Sequence, residues 1–176
     1  MLKASERPSD SSGPAESKAE LYARLRTELS AMLEGERDFI ANMANCAAML
    51  FHALPDLNWA GFYLLKGSDL VLGPFQGKPA CVRIAPGRGV CGAAAGRRET
   101  LVVADVHQFP GHIACDGASN SEIVVPLMDG GRLIGVLDLD SPLFGRFDGL
   151  DKAGLEAVAQ SALVPTHVDS TCPGTL

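Results

Sequence analysis

Apolar residues recur at helical spacing in two stretches near the start of the chain. They are Leu21, Leu25, Leu29 and Met32 in the first stretch, and Phe39, Met43, Cys46 and Leu50 in the second. A spacing of three and four residues places an apolar stripe along one face of a helix. The sequence therefore predicts two amphipathic helices, the first from about Ala19 and interrupted at Gly35, the second ending before Pro55.

After these helices the pattern changes to short runs of β-branched and aromatic residues with Gly and Pro between them, which is typical of strands. The predicted strands cover residues 59–65, 70–75, 81–85, 100–103, 122–128 and 132–140. A short Ala-rich helix is predicted at 90–95, and a last helix from the N-cap Asp148 to about 163. This order indicates an α+β fold with a central antiparallel sheet of about six strands and helices packed against it.

The ends of the chain differ in composition from its centre. Residues 1–17 have few large apolar side chains and are predicted to be a flexible extension, and residues 165–176 are predicted to be a polar tail. The folded domain is expected at 18–164. Within it, residues 105–121 form a long irregular segment, and segments of this length in compact domains usually carry function.

Composition narrows the class of protein. Of the 176 residues, 47 % are hydrophobic and 20 % are charged, which suits a globular core. The net charge of −6 argues against a nucleic-acid partner, because it repels phosphate. No apolar run approaches the roughly 20 residues that span a bilayer, and the N-terminus has no apolar signal segment. We therefore expect a cytoplasmic protein that does not enter a membrane.

Three carboxylates fall on the predicted C-terminal hairpin. Asp138 and Asp140 are two residues apart in a strand, so their side chains emerge on one face. With a three-residue turn at 129–131, Glu122 lies opposite Asp138 on that same face, whereas a two-residue turn moves it to the other face. The cluster is a solvated sheet face, or an acidic pocket for an ammonium group with one carboxyl kept protonated as an acid. A metal site is a further alternative, but no histidine accompanies these carboxylates locally.

The first predicted strand carries two aromatic residues around a glycine. Trp59, Gly61 and Tyr63 share one face by the same alternation. Such a pair leaves a shallow slot that suits a methyl group, a thioether or a cation. The alternative is that both rings belong to the core.

Five cysteines are many for a reducing compartment, where clustered cysteines are often redox-active or metal-binding. They are Cys46, Cys81, Cys91, Cys115 and Cys172. Cys46 lies on an apolar helical stripe, and Cys172 lies in the tail. Local charge favours Cys91 as a thiolate, because it opens a helix close to Arg88, whereas Cys115 is followed by Asp116.

Metal binding is the competing interpretation of these thiols. A zinc site would draw on His107, His112, Cys115 and another cysteine. The spacings match no compact pair such as CxxC, so the sequence predicts neither a metal nor another cofactor.

Several segments closely resemble the free methionine-R-sulfoxide reductase family. They are 58–63 (NWAGFY), 73–77 (GPFQG), 87–91 (GRGVC), 109–115 (FPGHIAC), 121–126 (SEIVVP) and 135–141 (GVLDLDS). The match runs from about Leu21 to Leu163, and its motifs are specific in combination. The resemblance implies a GAF fold, which is also common in small-molecule sensor domains.

The same resemblance implies roles for individual residues. Cys115 matches the nucleophile, and Cys81 and Cys91 match the thiols that resolve or recycle it, in an order left open. Trp59 and Tyr63 match pocket aromatics, and Glu122, Asp138 and Asp140 match the acidic residues that bind substrate and assist the chemistry.

The implied reaction reduces free methionine-R-sulfoxide through a sulfenic acid and a disulfide, which a thioredoxin-like dithiol protein regenerates. A homodimer is compatible with the family. The alternative is a non-enzymatic GAF sensor, although this sequence shows no attached output domain of the kind a sensor normally signals to.

Overall fold

The computed structural model describes residues 16–113 and 116–162. Within them the chain forms four α-helices, six strands and one 3-10 turn at Val106–Gln108. The helices are α1 (Lys18–Met32), α2 (Phe39–Ala53), α3 (Gly89–Arg97) and α4 (Gly149–Ala162). The strands are β1 (Trp59–Lys66), β2 (Asp69–Gly77), β3 (Arg83–Ile84), β4 (Leu101–Val103), β5 (Ser121–Asp129) and β6 (Arg132–Ser141).

The six strands form one antiparallel sheet in the order β3-β2-β1-β6-β5-β4. The predicted α+β class and the six-stranded sheet are therefore confirmed. In the predicted strand at 81–85 only Arg83–Ile84 is regular, so Cys81 lies in the loop before β3 rather than inside a strand. None of the helices described is long and apolar enough to cross a membrane.

One face of the sheet is covered by α1, α2 and α4. Phe62, Leu137 and Leu139 point to this side and are fully buried, because alternate residues of a strand face opposite ways. The predicted stripe of α2 is buried here as expected, at Met43 and Leu50 among others. This face is the main apolar core of the domain.

The predicted stripe of α1 needs a correction at its two ends. Leu25 and Leu29 are fully buried, but Met32 is 51 % exposed and Leu21 is only partly buried. Tyr22 and Leu33 take the buried positions instead. The two central positions of the predicted stripe are therefore correct, and each of its ends is displaced by one residue.

The opposite face of the sheet is only partly covered. Helix α3 packs against β5 and β6 on this side, and loops cover part of the remainder. The apolar cluster here is smaller and includes Val90, Val124 and Val136. Space is left between α3, the loops and the sheet, and the polar residues of the candidate site surround it.

The predicted three-residue turn of the β5–β6 hairpin is wrong, but Glu122 still lies on the same face of the sheet as Asp138 and Asp140. Asp129 pairs with Arg132, so the turn has two residues, Gly130 and Gly131, rather than three. The register then shifts at Ile134, an extra residue on β6 that forms a bulge. The shift returns Glu122 to the face of the other two carboxylates, where its partner is Asp140 and not Asp138.

A buried ion cluster fastens the start of α4 to α1. The carboxylate of Asp151 is fully buried and accepts hydrogen bonds from Lys18 Nζ at 2.6 Å, Tyr22 Oη at 2.9 Å and Arg146 Nη1 at 3.1 Å. Asp148 caps the helix as predicted, since its Oδ1 accepts the backbone N–H of Leu150 at 2.8 Å. The charge of Asp151 is thus matched by donors from α1 and from the loop before α4.

We expect Asp151→Ala to destabilise the domain by about 3–5 kcal/mol, because the substitution leaves the buried guanidinium of Arg146 without its partner. Equilibrium unfolding in urea measures the loss. Glu28→Ala, which removes the exposed ion pair with Arg24, is the control and should cost under about 0.5 kcal/mol. Similar losses in the two variants would contradict the role given to Asp151.

Candidate active site

A pocket of about 550 Å³, counting the space open to solvent at its mouth, lies on the partly covered face of the sheet. Its floor comes from β1, β5 and β6, and its walls come from the start of α3 and from two loops. The residues that line it are Trp59, Tyr63, Lys78, Pro79, Ala80, Ile84, Arg88, Gly89, Val90, Cys91, His112, Ile113, Asp116, Ser119, Glu122, Asp138 and Asp140. All five non-cysteine residues predicted for the site are among them.

The three carboxylates of the floor lie on neighbouring strands. Glu122 and Asp138 are only 5 % and 6 % exposed, and Asp140 is partly buried. Burial, together with the charges of Asp138 and Asp140, raises the pKa of Glu122 well above its usual value. Burial raises the pKa of Asp138 to about 7. Burial and the charge of Asp138 raise the pKa of Asp140 as well, so the cluster holds protons near neutral pH.

Cys91 lies directly above this floor. Its Sγ donates to Asp138 Oδ2 at 3.2 Å and is 3.9 Å from Glu122 Oε1. Burial, followed by the charges of Asp138 and Glu122, raises the pKa of the Cys91 thiol well above its usual value. The prediction of a Cys91 thiolate is therefore wrong: two buried carboxyl groups outweigh the helix N-terminus and Arg88, whose side chain is exposed.

His112 completes the wall above Glu122. Its Nδ1 lies 3.9 Å from Glu122 Oε2, and burial, with a smaller contribution from the charge of His107, lowers its pKa. A neutral imidazole therefore faces a protonated carboxyl group. From the sequence, His112 was proposed only as a ligand of the alternative zinc site. It belongs, however, to the 109–115 motif shared with the free methionine-R-sulfoxide reductase family.

The aromatic residues form a wall and not the predicted slot. The Trp59 ring stacks between Tyr63, at a centroid distance of 5.9 Å, and Phe75, at 5.4 Å. A Cβ at Gly61 would lie 2.6 Å from an atom of the Trp59 ring and 2.4 Å from the Phe75 Cβ. The space over this glycine is thus already filled.

The polar ends of the same rings hold the segment that leads to Cys81. Trp59 Nε1 donates to the carbonyl of Lys78 at 3.1 Å, and Tyr63 Oη donates to the carbonyl of Cys81 at 3.1 Å. Cys81 is partly exposed. The two aromatic residues therefore anchor this backbone at the edge of the pocket.

Asp116 anchors the opposite loop and was not identified from the sequence. It accepts from Lys78 Nζ at 3.2 Å, from the backbone N–H of Ala118 at 3.0 Å and from Asn58 Nδ2 at 3.3 Å. The Ala118 N–H, and then Lys78 and Asn58, lower its pKa. Little in the sequence indicated this role, because an irregular segment has no periodic pattern from which the position of a single acidic side chain could be predicted.

The remaining thiols are placed as follows. Cys115 and Cys172 lie outside the described residues, but Ile113 and Asp116, which flank Cys115 closely, both line the pocket. Cys46 is fully buried in the helical core, as predicted, and burial raises its pKa to about 12. Of the predicted alternative zinc set, His107 and His112 pack edge to face with ring centroids 6.5 Å apart.

Comparison with known proteins places this fold and pocket in context. The GAF domain family model matches residues 19–164. Free methionine-R-sulfoxide reductase of Escherichia coli is 57 % identical over 153 residues, which are 86 % of this chain and 93 % of the relative.

Two crystal structures superpose closely. Free methionine-R-sulfoxide reductase of Neisseria meningitidis, in complex with its substrate, is 47 % identical with a TM-score of 0.81, covering 84 % of this chain and 89 % of that one. A Burkholderia vietnamiensis protein that is named as a GAF sensor is 60 % identical with a TM-score of 0.82, covering 84 % of this chain and 94 % of that one. In sequence and in fold, the chain belongs to the free methionine-R-sulfoxide reductase family of GAF domains.

Proposed function

We propose that this protein is an oxidoreductase that reduces free methionine-R-sulfoxide to methionine. The observation that carries the proposal is the floor of the pocket, where buried, proton-holding carboxyl groups lie beside a thiol. Reduction of a sulfoxide needs a proton donor for the oxygen and a thiol for the sulfur, and the relatives named for this activity share most of the chain.

The proton donor in this proposal is Glu122 or Asp140. A carboxyl group with a raised pKa keeps its proton near neutral pH and donates it, or a hydrogen bond, to the sulfoxide oxygen. The donation withdraws electrons from sulfur and makes it electrophilic. The two residues face each other across β5 and β6, so either can reach the same oxygen from the floor.

The nucleophile in this proposal is Cys115. Its sulfur attacks the sulfoxide, the oxygen passes to the cysteine as a sulfenic acid, and methionine leaves with its sulfur reduced. A second thiol then displaces water from the sulfenic acid and forms a disulfide. A dithiol protein of the thioredoxin type reduces this disulfide by exchange, which restores both thiols and requires no metal or organic cofactor.

Cys81 is the better candidate for the first resolving thiol. It is partly exposed and its backbone is anchored at the pocket edge, whereas Cys91 is buried and its pKa is raised by burial and by two carboxylates. A thiol reacts through its thiolate, so the surroundings of Cys91 slow the resolving step. Cys91 then serves to recycle the disulfide.

Asp138 supplies the selectivity for the free amino acid. Its Oδ1 is buried and has no hydrogen-bond partner among the described residues, so it can accept an ammonium group of the substrate. A methionine within a protein lacks that charge and would leave the acceptor unpaired, at a cost of about 1–3 kcal/mol. The proposal places the protein in the cytoplasm, where thioredoxin-type reductants keep thiols reduced.

Replacement of the nucleophile tests the reaction type. We expect Cys115→Ser to fall below about 1 % of the parent activity, because the hydroxyl is a far weaker nucleophile towards sulfur. Thioredoxin-coupled consumption of NADPH with free methionine-R-sulfoxide measures the rate, and Cys172→Ser is the matched control. Full activity in Cys115→Ser would show that Cys115 is not the nucleophile. If the unmodified protein binds the sulfoxide but does not reduce it, the result would support a sensor instead.

Replacement of the ammonium acceptor tests the selectivity. We expect Asp138→Asn to raise KM for the free amino acid by about 10–100-fold with a smaller change in kcat, because the amide carries no charge. Asp129→Asn, at the exposed end of β5 beside the hairpin turn, should leave both constants unchanged. An unaltered KM in Asp138→Asn would remove this residue from substrate binding.

The pKa of Asp138 predicts a pH dependence. A carboxyl group with a pKa of about 7 takes up a proton as the pH falls through 7, and the ammonium group then loses its partner. We expect kcat/KM to fall by about tenfold per pH unit below this value, and the fall to disappear in Asp138→Asn. Initial rates are measured between pH 5 and 8, where the protein has to stay folded. The same fall in kcat/KM below pH 7 in Asp138→Asn would show that Asp138 does not cause it.

A further inference from the structure

The pocket brings together four side chains that can each bind a metal ion. Cys91, Glu122 and Asp138 offer ligand atoms that all lie within 4.8 Å of one another. His112 adds Nδ1 at 3.9 Å from Glu122 Oε2. The set comprises one sulfur, one nitrogen and two carboxylates. The sequence left a metal site at the carboxylates open and named His112 in an alternative zinc set.

The distances suit a tetrahedral ion. Zinc takes sulfur at about 2.3 Å and nitrogen or oxygen at about 2.0 Å, which puts neighbouring ligand atoms about 3.3–3.5 Å apart. The Cys91 Sγ is 3.2 Å from Asp138 Oδ2 and 3.9 Å from Glu122 Oε1, so the observed separations bracket this range. His112 lies outside the group of three side chains whose ligand atoms are within 4.8 Å of one another, so its imidazole has to turn towards Cys91 and Asp138 to complete a tetrahedral set.

A second observation also points to a cation at this floor. Asp138 is only 6 % exposed, it lines the pocket, and its Oδ1 meets no hydrogen-bond donor among the described residues. Buried carboxylate oxygens are nearly always paired, and an unpaired one raises the free energy of the folded state. Either the ammonium group of the substrate or a metal ion beside Oδ1 would supply the missing interaction, so the two compete for one acceptor.

The mixture of donors selects the ion. Magnesium and calcium prefer oxygen ligands alone, whereas a thiolate, an imidazole and carboxylates together suit zinc. We propose that Cys91, His112, Glu122 and Asp138 bind one zinc ion, and that the bound ion blocks the pocket. The thiol releases its proton to solvent when it binds, and four protein ligands leave no open position for catalysis.

Cobalt(II) is the spectroscopic probe for this site, because thiolate ligation gives a charge-transfer absorption. Cys81, Cys115 and Cys172 are replaced by Ser so that their thiols do not contribute. We expect one cobalt per chain with this absorption, displaced by one equivalent of zinc. Absence of a one-to-one complex, or the same absorption after the added change Cys91→Ser, would overturn the proposal.

His112→Ala provides a test that does not alter the buried floor. Isothermal titration with zinc should show an affinity lower by at least about tenfold. His107→Ala, at the neighbouring exposed histidine, is the matched control and should bind zinc like its parent. Equal affinities in the two histidine variants would remove His112 from the ligand set.

Competition tests the blocking of the pocket, and this part rests on the proposed function. In Cys115→Ser, where the sulfoxide binds without oxidising the nucleophile, free methionine-R-sulfoxide should weaken the apparent zinc affinity. In the parent protein a chelator should restore the activity that zinc removes. Zinc affinity that does not change with the sulfoxide would overturn the blocking. An inactive protein that still binds one zinc would refute the proposed function and leave the metal site standing.

Discussion

The burial of three carboxylates beside a thiol on one face of the β5–β6 hairpin is the constraint on which the site depends. Such a group of acids cannot all ionise in a partly dry pocket, because each charge raises the pKa of its neighbours. The floor therefore holds protons at a pH where isolated carboxyl groups have none. This single feature makes the pocket able to donate protons and receptive to a cation.

The two faces of the sheet divide stability from function. Three helices cover one face with an apolar core, and the buried carboxylate of Asp151 ties α1 to the start of α4 on that side. The other face has a single short helix and loops, which leaves room for the pocket. A floor of unfavourably buried acids is tolerated because the opposite face supplies most of the apolar burial.

The loops over the pocket are held by specific polar contacts as well as by packing, since Ala80 and Ile113 pack against the smaller apolar cluster. Lys78 takes part in both anchors, since its carbonyl accepts from Trp59 and its ammonium group reaches Asp116. The segments that carry Cys81 and flank Cys115 are therefore linked through one residue. Cys91 differs from Cys81 because it lies in α3 and against the acidic floor.

The periodicity of the chain by itself determined the helices, the strands, the antiparallel class and the shared face of Asp138 and Asp140, because these follow from local spacing. The motifs indicated the family. Tertiary structure alone decided that a bulge at Ile134 brings Glu122 to the same face, since register depends on pairing between strands. It also decided that Cys91 is surrounded by carboxylates, which outweigh its helix N-terminus, and that His112 and Asp116 enter the site. Contacts between residues far apart in the chain set these properties, and no local pattern records them.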